Sequence, residues 1–339
     1  MTHITLVLPF ALPPSELAPD LIRALQTPSL ATLITRTSSR NRLPFDDKQR
    51  ALPYEGWMAG QFGLPVNGSP ALAAQVMRSY QLDPGAGTWF IVNPAHLEVA
   101  RSHLLLHDVR HLRLSDEHAR ALFEAARPYF EESGKPLLYG DAATWFMRAD
   151  DWSGLSTASP DAAAGLNLTE WLPTGERAAA FRKLQNEVQM LWFAHPANAE
   201  REQRGLAAVN GFWPWARADA GTTAAIPNLA ASSAPPWLAA LANQAGASLD
   251  ALLAAGGEAI LVAGELSGPA LATDWANWLA VMQHLEQQLF APALEALLAG
   301  RIGKLRLLVS HRSGHLELTT TRLAQRAFWR RPSLDALLP

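Results

Sequence analysis

Four stretches carry residue types at spacings that could do chemistry. In VNGSPALAA, Ser69 follows a glycine at the expected start of a helix. Such a step turns backbone N–H groups and the positive helix end toward an anion, so Ser69 is a candidate nucleophile position; its simpler role is an N-cap. His103, His107 and His111 recur every fourth residue, which on a helix would align three imidazoles for a metal. The segment LLLHDVRHLRLS alternates like a strand after Asp108, however, and strand alternation scatters those rings into surface or hydrogen-bonded positions. SHRSGH puts His311 at the carboxyl end of a buried apolar run, where ligands of open α/β sheets gather, with no Asp or Glu beside it for a hard cation. The fourth stretch, FAHPANAEREQRGLAAVNGFWPWARAD, packs a His-Pro turn, several charges and two Trp around one Pro.

The elements that must position these residues alternate between strand and helix. Ile4 to Leu8, Thr88 to Asn93, Ala259 to Ala263 and Leu305 to Ser310 read as buried strands, with shorter strand-like pieces at Pro136 to Tyr139 and Thr144 to Arg148. Ser69 to Tyr80, Ser115 to Phe130, Thr174 to Ala194 and the segment from Pro196 to Gly205 read as helices, with Ser115 and Thr174 as caps. Between Thr273 and Leu298, Trp275, Trp278, Met282, Leu285 and Leu289 recur at spacings of three and four, the strongest helical pattern in the chain. Arg36 to Gly68 and Ala218 to Pro236 read as loops, and Asp150 to Gly165 as a linker. Alternation of this kind predicts an α/β layered sheet flanked by helices, with residues 1–85 and 165–339 forming a core and 86–164 a smaller α/β insertion.

Composition narrows the function. The chain has 339 residues, 28 Lys plus Arg against 31 Asp plus Glu, a net charge of −3 and no basic block, so no nucleic-acid partner is expected. The absence of Cys excludes thiolate nucleophiles and Cys-ligated metals. No segment reaches the roughly 20 apolar residues of a spanning helix, so no membrane partner and a cytoplasmic location are expected. Charged residues are only 17% of the chain and Trp occurs twelve times, mostly within apolar runs that predict core packing. A sparsely charged surface also makes a protein partner or a homo-oligomer an expectation.

The landmarks together resemble the archaeal-type, cofactor-independent phosphoglycerate mutases of the alkaline phosphatase superfamily. HPANAEREQRGLAAVNGFWPWARAD is similar to that family's His-Pro-x-Asn, Arg, Gly, Asn and Trp-x-Trp-Gly segment at His195, Pro196, Asn198, Arg201, Gly205, Asn210, Trp213 and Trp215. LQTPSLATLITR, NGSPALAAQVMRSYQLDPG, LDPGAGTWFIVNP, ASPDAAAGLNLTEWLPTG and HLEQQLFAPALEAL follow in the family's order, so the likeness spans about residues 4 to 312. It implies an alkaline-phosphatase-like fold and phosphoryl transfer through a serine phosphoenzyme, with Ser69 at the nucleophile position and two divalent metals, Mn or Mg, held by Asp and His.

Several family residues are missing. Pro9 and Phe10 stand where the family has its metal-binding Asp followed by Gly, Ser310 stands where it has Asp, Pro70 replaces the acidic neighbour of the nucleophile, and VAGELSGPALATDW lacks the Asp-x-x-x-His pair. Ala216 also stands where the family has Gly. Two cations need several carboxylates, so the expectation is a degenerate mutase without a cofactor, with a regulatory or ligand-binding role. Its binding residues would be His195, Asn198, Arg201 and His311, Arg201 pairing a small phosphorylated or anionic ligand. The alternative is an active metal-dependent mutase or phosphatase with a rearranged site.

Overall fold

The computed structural model describes residues 2–44, 49–100, 103–244 and 248–339. In chain order its strands are β1 (Thr2–Leu8), β2 (Ser39–Pro44), β3 (Val66–Asn67), β4 (Ser69–Pro70), β5 (Thr88–Ala95), β6 (Leu97–Ala100), β7 (His103–Leu106), β8 (Leu137–Tyr139), β9 (Trp145–Arg148), β10 (Gly211–Asp219), β11 (Asn228–Ser232), β12 (Glu258–Ala263), β13 (Ile302–His311) and β14 (Gly314–Thr321). The chain divides into two compact units, one of Met1–Asp46 with Ile226–Pro339 and one of Asp47–Ala225. These boundaries differ from the 85 and 165 expected from the sequence. Residues 211–219 join the unit of 88–95 because β10 pairs with β5 along most of its length.

The first unit is built on a six-stranded mixed sheet in the order β11-β12-β1-β13-β14-β2. Its centre is parallel, Leu6 lying between Leu261 and Leu307 in register. Strands buried on both faces must be apolar throughout, which is why ITLVL, AILVA and LRLLVS were readable as strands. β14 alternates, with Leu316, Leu318 and Thr320 buried. β2 is an outer strand with all six residues exposed. The apolar run after Thr273 forms a helix Trp275–Leu285, a π-helical turn Glu286–Phe290 and a helix Ala291–Leu298. From that turn the Glu286 carboxylate accepts the N–H groups of Ser29 (2.6 Å) and Leu30 (3.1 Å), at the start of the helix Pro28–Thr35. It supplies the negative charge that this helix end lacks in its own first turn.

The second unit contains an antiparallel sheet in the order β10-β5-β9-β8. Phe90, Trp145, Phe181, Trp192 and Phe212 form its core with the helices Asp116–Glu132 and Ala178–Phe193. Ser115 caps the first of these by accepting from His118 N at 3.2 Å. The second starts after Arg177 rather than Thr174, whose backbone instead pairs with Ser156. The α/β fold class expected from the sequence, a sheet flanked by helices with a further sheet domain, is the one observed.

Three expectations about irregular segments are corrected. Arg36 to Gly68 contains β2 and a helix Pro53–Gln61, and Ala218 to Pro236 contains β11. Asp150 to Gly165 is no linker: Trp152, Leu155, Ala158, Ala162 and Ala163 are buried, and the Ala158 carbonyl accepts Trp213 Nε1 at 2.7 Å. Small residues there permit close packing, which composition alone reads as looseness.

Candidate functional site

Ser69 lies in β4, opposite Asn67, and is buried. It does not cap a helix, since the next one is Ala73–Ser79 with Leu72 at its N-cap position. Two prolines in the segment PVNGSP oppose an earlier helical start, and Gly68 supplies the left-handed φ of +80° that turns β3 into β4.

His195, Asn198 and Arg201 share the helix Pro196–Gln203 of the same unit. His195 is its N-cap: the Nδ1 lone pair accepts from Ala197 N at 3.2 Å, and burial lowers the imidazole pKa, favouring the neutral ring this role requires. Asn198 spends its amide on backbone, Nδ2 donating to Trp192 O and Val209 O and Oδ1 accepting from Val209 N, each at 2.8 Å. Arg201 is fully buried. Its Nε donates to Ala207 O at 3.0 Å, and the other nitrogens reach the carbonyls of Leu112 and Arg113. No carboxylate pairs with it among the described residues, and burial pulls its pKa down. Asn198 and Arg201 thus clamp two loops onto the helix through carbonyl groups.

His311 ends β13 in the other unit, where β1, β12 and β13 present their carboxyl ends along one edge of the sheet. Leu8 pairs with Val309, so the chain leaving β1 at Pro9 and Phe10 runs beside Ser310 and His311. The Phe10 ring meets that of His311 edge-on at 6.4 Å, and the Arg312 guanidinium lies over the Phe10 ring at 5.8 Å. Burial, and next the Arg312 charge, lower the His311 pKa, against the pull of Glu16. His311 also lines a cleft of about 550 Å³ together with Arg42 and His315. After β12, Glu265 Oε2 is buried without a hydrogen bond among the described residues.

Phe10 and Ala216 both have left-handed backbone, with φ of +59° and +56°. This conformation is costly for residues carrying a Cβ. Both are among the positions at which the family pattern resembled by the sequence has Gly. At Ala216 the left-handed backbone forms the bulge between Trp215 and Ala218 in the β10–β5 pairing.

The histidines spaced by four do not share a helical face. His107 follows β7 and bonds Glu98, and His111 lies exposed in a short 3₁₀ turn Val109–Leu112; the His103 side chain lies outside the described residues. His107 instead packs edge-on against His96 at 4.8 Å, beside a void of about 20 Å³. In neither unit do three or more His, Asp or Glu among the described residues converge as metal ligands.

Sequence reading missed two features. One is a buried polar cluster in the second unit, where Arg110 bonds Asp161 at 3.0 Å and Asp108 at 2.9 Å, near Tyr54 and Glu55. Burial, and then the Asp161 charge, raise the Glu55 pKa to about 8. The signal was Glu55 and Asp161 inside apolar or small-residue runs. The other is the cleft that His315 and Arg42 both line, which left no sequence trace because His315 is out of phase with the inward Leu316, Leu318 and Thr320 of its strand.

The architecture is thus a mixed α/β sheet unit with a separate antiparallel-sheet unit. Two solved structures resemble the chain over nearly its whole length. The PH0037 protein from Pyrococcus horikoshii matches at 10% identity with a TM-score of 0.55, over 99% of this chain and 91% of that one. The cofactor-independent phosphoglycerate mutase from Thermoplasma acidophilum DSM 1728 matches at 14% identity with a TM-score of 0.43, over 99% and 94%. The likeness to the PH0037 protein is one of fold. No protein-family model and no curated protein matches the chain. Among the described residues no helix is long and apolar enough to cross a membrane.

Proposed function

We propose that this chain is a catalytically degenerate, phosphoglycerate-mutase-like protein that acts by binding a ligand or a partner protein. The observation that carries the reading is the adjacency of Pro9-Phe10 and Ser310-His311 at the ends of paired strands β1 and β13. In the family pattern this edge supplies metal carboxylates; here it offers an aromatic ring, a hydroxyl and an imidazole. Such a donor set does not neutralise two divalent cations, so no metal-dependent step is assigned to it. The same donor set is the ground for proposing no cofactor, and the cytoplasmic location stays a proposal from the sequence.

One observation favours a second reading, an active metal-dependent mutase or phosphatase. The unpartnered Glu265 oxygen after β12 would gain a partner if a cation sat beside it. Conversion of 3-phosphoglycerate to 2-phosphoglycerate with added manganese separates the two. No turnover above a protein-free control is expected. Turnover that is lost in Ser69→Ala would overturn the degenerate reading.

A further inference from the structure

The cleft in the first unit combines three features of a built ligand site. Its size, about 550 Å³, falls in the range of small-molecule pockets. Its walls are largely apolar, with Leu12 and Pro13 from the chain leaving β1, Leu43 from β2 and Leu337 from the last turn. Its polar groups are few and come from separate strands: Arg42 on β2, His311 at the end of β13 and His315 on β14.

His315 is the telling residue. It is 9% exposed, and neither ring nitrogen has a hydrogen-bond partner among the described residues, the nearest carboxylate oxygen, of Glu317, being 3.7 Å from Nε2. A buried imidazole whose polar neighbour stands as far off as Glu317 is poorly satisfied, and the cleft it lines is the place where a closer partner can arrive. Arg42 lines the same cleft. Its Nη2 donates to the carbonyls of Ala336 at 2.8 Å and Leu338 at 2.6 Å, which leaves Nε and Nη1 without a partner among the described residues. An anion would meet a fixed guanidinium edge and the N–H groups of two imidazoles.

The charge balance limits which anion. Glu16 lines the cleft and Glu317 stands beside His315, while the charges of Arg40 and Arg312 act on Arg42 and His311, so three guanidiniums stand against two carboxylates. That arrangement disfavours a phosphate dianion and tolerates a single negative charge. We propose that this cleft binds a small monocarboxylate with an apolar body, its carboxylate on Arg42 and His315 and its hydrocarbon against Leu12, Leu43 and Leu337. The assignment rests on the ligand-binding reading above and names the chemistry of the ligand.

The test is calorimetric titration of the full chain with phenylacetate and octanoate, and separately with inorganic phosphate and 3-phosphoglycerate. Saturable binding of at least one of the two carboxylates is expected, weakened about tenfold or more in Arg42→Gln and in His315→Leu, the loss of one charge-assisted hydrogen bond. Arg42→Lys keeps the charge without the fork and should bind with intermediate affinity. Thermal unfolding of each variant establishes that it is folded before titration. The assignment is overturned if neither carboxylate saturates, if both variants bind as the parent does, or if phosphate or 3-phosphoglycerate binds more tightly than both carboxylates. Each of these leaves the absence of mutase turnover intact, whereas turnover with manganese would remove the degenerate reading and leave carboxylate binding standing.

Discussion

The indole Nε1 of Trp278 donates to the carbonyl of Phe10 at 2.9 Å, both groups buried, and so pins a residue whose φ is +59°. Non-glycine residues persist in this region only when their surroundings over-determine them. The bond joins the helix Trp275–Leu285 to the chain leaving β1.

Removing that donor should therefore cost more than a surface hydrogen bond. Trp278→Phe is expected to lower stability by about 1–3 kcal/mol through the stranded carbonyl, and Trp275→Phe, at a partly exposed neighbour, by less. Denaturant unfolding of the two variants, compared at equal slope, checks this; equal losses would show that Phe10 does not need the bond.

At Ala216 the strain can be relieved without losing a large side chain. Ala216→Gly should stabilise the protein by about 0.5–1 kcal/mol, the left-handed penalty of an alanine less the extra entropy of glycine in the unfolded chain. Ala216→Val should destabilise it, because a β-branched residue fits φ of +56° worse. A lower midpoint for the glycine variant in chemical denaturation would contradict the account.

Glu55 should make stability fall as pH rises. Its folded pKa, about 8, lies above the ordinary 4.5, so across that interval the unfolded chain releases a proton that the native state keeps. The native state thus binds more protons than the unfolded one, and stability declines from about pH 4.5 to about pH 8 and then levels. Glu55→Gln holds the neutral form permanently and should flatten the curve in this window. Melting temperatures measured at several pH values in both proteins decide the matter; parallel curves would place the proton elsewhere.

Arg201 should behave as a structural clamp. Arg201→Lys keeps the charge but cannot reach three carbonyls with one ammonium, and a loss of about 2–4 kcal/mol is expected. Added phosphate should leave the melting temperature of the parent protein unchanged by any route through Arg201. A phosphate-induced rise that disappears in the Lys variant would restore its role as an anion partner.

What the sequence disclosed follows from what each element must satisfy locally. The central strands and the helix after Thr273 were legible because burial forces an unbroken apolar run or a helical stripe, although the π turn that aims Glu286 at the helix Pro28–Thr35 left no periodic trace. β2 was not legible, since a strand exposed on every residue needs no alternation. His311 was legible as a residue ending an apolar strand, whereas Ser69, read as a helix start, lies in β4. The uses of Asn198 and Arg201 were not legible, because carbonyl acceptors such as Val209 O and Leu112 O belong to the backbone and carry no side-chain signature.

The exposed outer strand β2 has one more consequence. Its outer rim offers unpaired amides to any chain in extended form, yet SRNRLP carries arginines at 40 and 42 and closes on Pro44. Cationic side chains and a terminal proline are the devices that keep such rims from templating sheet growth between molecules. Replacing both arginines by threonine would strip this protection, and the first sign would be concentration-dependent assembly of an otherwise correctly folded protein.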